Sequence, residues 1–77
     1  MSPTVFKDDS FRFFFFSREE TRLHVHVTSP DGEAKFWLDP VVALADYSGY
    51  TKVTLTKIQN IIEDRKDEIV KKWKTYF

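Results

Sequence analysis

His24 and His26 stand two residues apart in Leu23-His24-Val25-His26-Val27. Two imidazoles at that spacing project from one face of a strand, and imidazole is the side-chain group suited to acid–base work near neutral pH. Three chemistries suit such a pair. It could hold one divalent metal, with Glu33 or Asp39 adding an oxygen ligand. It could share the base and acid roles of a metal-independent ribonuclease, with Lys35 or Arg12 steadying the phosphate charge. It could instead hydrogen-bond and stack within a sheet, or meet a protein partner. The candidate catalytic groups are therefore His24, His26 and Lys35, and the candidate metal ligands are His24 and His26. No cofactor is expected.

A β-hairpin must position these groups. Residues 24–28 alternate cleanly, and Ser29-Pro30-Asp31-Gly32 supplies Pro, Asp and Gly in the order a turn requires. A loop over 29–32 pairs Thr28 with Glu33, so opposed residues sum to 61. Val27 then faces Ala34, Val25 faces Phe36 and Leu23 faces Leu38, an apolar set. His26 faces Lys35 and His24 faces Trp37 on the other side. A slip by one residue would mix the two sets.

The flanking segments extend the sheet. Thr4-Val5-Phe6 is a short β-branched and aromatic run ended by the turn-prone Lys7-Asp8-Asp9-Ser10. Phe11–Ser17 carries Phe11, Phe13 and Phe15 on one face and Arg12, Phe14 and Phe16 on the other, so both faces call for cover. Residues 18–22 are polar and read as a loop. The helix-facing set is Phe11, Phe13 and Phe15. The partner-binding set is then Arg12, Phe14, Phe16, His24, His26, Lys35 and Trp37, the aromatic and cationic mixture that interfaces favour.

Asp39-Pro40 closes the hairpin's second strand. Val41–Asp46 reads equally as a short edge strand or a bend, and Tyr47-Ser48-Gly49-Tyr50 as a turn. Leu55, Ile58, Ile62, Ile69, Trp73 and Phe77 then form one stripe of helical period, flanked by Ile61, Val70 and Tyr76. Thr51 or Thr54 can cap its start, and Lys71, Lys72 and Lys74 suit its C-terminal dipole. Arg65 and Lys66 interrupt the stripe, which allows a bend or break near 64–67. The expectation is one α+β domain over 1–77, with strands at about 3–7, 10–17, 23–29 and 33–39. An antiparallel sheet of three to four strands would carry one C-terminal helix, about 54–76, on one face.

Composition narrows the function classes. The 77 residues contain no cysteine, which removes disulfides and thiolate metal sites. Eight Phe residues compensate for a small core, because each ring buries much apolar area. Twelve basic and twelve acidic residues cancel, so no global field draws nucleic acid or membrane. Residues 1–39 hold five Lys/Arg against seven Asp/Glu, a net of −2, and residues 40–77 hold seven against five, a net of +2. Lys71-Lys72-Trp73-Lys74 could touch nucleic acid, although a solvated helix end explains it as well. Met1–Thr4 lacks a basic n-region, and Lys7, Asp8, Asp9 and Arg12 interrupt any apolar run. No run approaches a membrane span, and a cytoplasmic location is expected.

Several segments resemble one known family. Pro3-Thr4-Val5-Phe6, Phe11-Arg12-Phe13-Phe14-Phe15-Phe16-Ser17, His24-Val25-His26-Val27, Gly32-Glu33-Ala34-Lys35-Phe36-Trp37-Leu38 and Trp73 look like the small prokaryotic domain of unknown function 4160. Many members carry Pro where this chain has Leu23, and a further His where it has Glu20-Thr21. The resemblance implies a bacterial or archaeal source. It also implies a gene neighbour of the domain of unknown function 2442 type, in an arrangement like a toxin–antitoxin pair. It implies no catalytic residues. The expected function is protein–protein contact, with that neighbour's product or a second copy of the chain, through the face bearing the histidines.

Overall fold

The structure, a computed structural model, describes residues 4–16 and 22–76. Five strands follow in order: β1 (Thr4–Asp8), β2 (Phe11–Phe14), β3 (His24–Ser29), β4 (Gly32–Trp37) and β5 (Ala43–Ser48). All neighbours are antiparallel and the spatial order equals the chain order, a plain meander. Two helices complete the fold, α1 (Lys52–Asp64) and α2 (Lys66–Tyr76). The expected three to four strands and single helix are thus corrected to five strands and two helices among the described residues. The expected ends at residue 3 and residue 17, the polar loop over 18–21 and the stripe position Phe77 lie outside the described residues.

The hairpin register holds at every pair from His24↔Trp37 to Thr28↔Glu33. Ser29 also pairs with Gly32, which shortens the loop to Pro30-Asp31. The apolar face forms the core: Val25, Val27, Phe36 and Leu38 are fully buried, with Phe13 and Phe15 beside them. Phe6 stacks on Phe13 with ring centres 4.4 Å apart.

β5 replaces the alternatives of bend and turn over residues 41–50. Its pairing sums to 81 from Glu33↔Ser48 to Lys35↔Asp46 and to 80 from Phe36↔Leu44 to Trp37↔Ala43. One extra residue, Ala45, bulges between the two registers. Leu44 and Tyr47 therefore lie on the same side of the sheet although three residues apart.

Thr51 caps α1, its hydroxyl accepting from the Thr54 amide at 3.2 Å. Ile58 and Ile62 seat α1 on the sheet and Ile69 seats α2, all three fully buried. The helix breaks at Arg65, whose φ of −114° and ψ of 20° leave helical geometry. Its guanidinium covers the Phe6 ring at 3.6 Å and meets the Glu68 carboxylate at 3.0 and 3.1 Å. α2 then returns across the sheet, and the Lys72 ammonium donates to the Val5 carbonyl at 2.7 Å.

The turn into α1 touches the β3–β4 hairpin backbone to backbone. A side chain at Gly32 would collide with the Ser48 carbonyl, and one at Gly49 with the Asp31 carbonyl. Gly49 also has a φ of 86°, a conformation glycine adopts without strain. Tyr50 follows, sharing a 2.7 Å hydrogen bond with the Ser29 hydroxyl across the same junction.

Candidate functional site

Parity sends the residues opposite the core to a common face, and the registers align them in rows. One row runs Phe14, His26, Lys35, Asp46 from β2 to β5. A second runs Arg12, Thr28, Glu33, Ser48. A third sets His24 against Trp37 and Ala43. All seven residues of the expected partner-binding set fall on this side, but their environments differ.

His24 departs furthest from expectation. It is fully buried, with the Trp73 ring of α2 centred 5.1 Å away, His26 at 5.1 Å and Trp37 at 5.9 Å. Its Nδ1 lies 2.6 Å from the Arg22 carbonyl oxygen. A carbonyl only accepts, so Nδ1 carries the proton. A buried ring held this way has no surface with which to touch a substrate phosphate. The acid–base pair expected of His24 and His26 is therefore not presented as a pair. Among the described residues, no three His, Asp or Glu side chains gather where a metal ion could sit.

His26 is half-buried in an aromatic stack. Phe14 lies nearly parallel to it with centres 5.5 Å apart, and Phe16 tilts against it at 4.4 Å. Phe14 is itself buried, whereas Phe16 is 40% exposed. Cations cover other rings of the face: Arg12 over Phe14 at 4.6 Å, Arg22 over Trp37 at 4.2 Å and Lys35 over Trp37 at 4.6 Å. Arg12 also donates to the Thr4 hydroxyl at 2.8 Å. Such contacts hold a guanidinium flat against a ring and leave its edge for hydrogen bonds.

Between the stack and β5 lies a cleft of about 350 Å³. Phe14, Phe16 and His26 form its aromatic side, and Glu33, Lys35, Asp46, Tyr47 and Ser48 its polar side. Neither histidine motif nor composition pointed to Asp46, Tyr47 or Ser48. They enter the site only because β5 exists, and the bulge at Ala45 masked that strand's alternation. Lys72 of the basic run is committed to the Val5 carbonyl, so it serves packing. Asp39, a candidate metal ligand, instead offers its backbone carbonyl to Arg22, at 3.3 Å from Nε and 3.2 Å from the second terminal nitrogen.

These features define a small α+β meander domain, helices on one face of the sheet and an aromatic–cationic layer on the other. Residues 10–74 match the family described as "Domain of unknown function (DUF4160)", and the chain belongs to that family. No curated protein and no solved structure matches it. No helix among the described residues is long and apolar enough to cross a membrane.

Proposed function

We propose that this domain is a protein-interaction module, one component of a two-gene, toxin–antitoxin-like system, and that its partner docks on the sheet face bearing His26. The carrying observation is Phe16, 40% exposed at the rim of a cleft on whose aromatic side Phe14 is buried and His26 half-buried, both stacked with one another. An exposed ring above a preordered aromatic floor is the usual anatomy of an interface anchor. Arg12, Lys35 and Trp37 add charge and aromatic surface to the same face, and His24 packs against His26. The partner is the neighbouring gene's product, of the domain of unknown function 2442 type.

Because the Phe16 ring is only partly covered, by Phe14 and His26, Phe16→Ala should lower the melting temperature modestly and leave the chain folded. It should weaken capture of the neighbour's product by at least about tenfold, a loss of about 1.4 kcal/mol. Co-purification and calorimetry with the full-length pair measure both. A chain that never binds that product, or that binds it equally well without the Phe16 ring, overturns the proposal.

A further inference from the structure

We infer that the cleft between Phe16 and β5 receives an arginine side chain of the docking partner. The inference rests on the interaction reading above and specifies the group that enters the site.

Charge is the first reason. Glu33 and Asp46 are exposed at the cleft and lie on the same face, diagonal to one another across β4 and β5. Diagonal neighbours of this kind have their Cβ atoms about 7 Å apart, close enough for one planar cation to reach both carboxylates. Lys35 stands across from Asp46, but its ammonium rests over Trp37, 4.6 Å from the ring centre, on the side away from Glu33. The lining therefore carries two carboxylates against the one ammonium of Lys35, an excess of negative charge toward an incoming group. A phosphate-bearing ligand would meet repulsion there, which disfavours a nucleic acid as occupant.

Ring chemistry is the second. The molecule already stacks guanidinium on aromatic rings three times: Arg65 on Phe6, Arg12 on Phe14 and Arg22 on Trp37. Phe16 is an exposed ring on the aromatic side of the cleft, and no described cation covers it. A guanidinium laid on Phe16 would turn its N–H edge toward Asp46 and Glu33. Asp46 Oδ1 already accepts from the Tyr47 amide at 2.9 Å. That bond orients the carboxylate before any ligand arrives. Lysine lacks the planar fork needed to stack and bridge at once.

The test uses the full chain and acetyl-arginine-N-methylamide as the probe, with the lysine and citrulline analogues as controls, followed by NMR. Arginine should shift the Asp46 and Tyr47 amides and the Phe16 and His26 ring protons, saturating in the millimolar range, about 4 kcal/mol. Lysine and citrulline should bind at least about fivefold more weakly. Asp46→Asn keeps an acceptor for the Tyr47 amide and should weaken the arginine response about tenfold at unchanged melting temperature. Equal responses to the three probes, shifts confined to other surfaces, no response, or an unaltered response in Asp46→Asn would each overturn the inference. If the probe fails while Phe16→Ala still abolishes partner capture, the interaction reading stands without an arginine anchor. If the probe binds while capture ignores Phe16, the guanidinium site stands and the proposed partner does not.

Discussion

Tyr50 shows how one side chain can report on a junction. Burial raises its phenol pKa above the ordinary 10.0, and the nearby carboxylates of Asp31 and Glu33 push the same way against the lowering effect of the Ser29 hydrogen bond. A phenol whose folded pKa exceeds its unfolded value gives stability that is complete below about pH 10 and is lost as pH rises through the folded pKa. The protein should therefore lose stability in alkali above about pH 10, and Tyr50→Phe should flatten that loss relative to the parent. Melting temperatures of both chains from pH 8 to 11 decide it; parallel curves would contradict the assignment. Residue-scale features were unevenly legible in the sequence. Parity placed His24 and His26 on one face, as found. It was silent on burial, because Trp73 arrives from a helix 49 positions later, and its landing point depends on how that helix is broken.

At the scale of elements, the break at Arg65 does the steering. Arg65 and Lys66 interrupt the apolar stripe, so a break was readable there, while its direction was not. Direction comes from Arg65 lying on Phe6 and clasping Glu68, which turns α2 back toward β1. Arg65→Ala removes a cation–π contact and a partly screened ion pair, together worth about 1–2 kcal/mol. The melting temperature should fall by about 4–8 °C for each kcal/mol lost, and a value equal to the parent's would show that the break holds itself. β5 was obscure for a different reason. Period-2 reading requires uninterrupted alternation, and the extra residue at Ala45 puts Leu44 and Tyr47 on one face. The edge of the cleft was hidden with it, whereas the β3–β4 hairpin, free of bulges, could be registered residue by residue.

For the whole molecule, the order of the meander sets a schedule. Each strand pairs with the one made just before it, so a ribosome delivering the chain N-terminus first completes the sheet before any helix residue emerges. Val25, Val27, Phe13 and Phe36 would then stand bare until Ile58, Ile62 and Ile69 arrive to cover them. Exposed apolar surface of this kind makes nascent chains adhesive. A chain ending at Tyr50 should accordingly sediment with the insoluble fraction while the parent stays in the supernatant. A soluble, monomeric fragment would show that the strands do not collect before their lid. The same simple topology that lets neighbouring strands find one another quickly thus leaves the apolar face of the newborn sheet uncovered until the chain's last residues arrive.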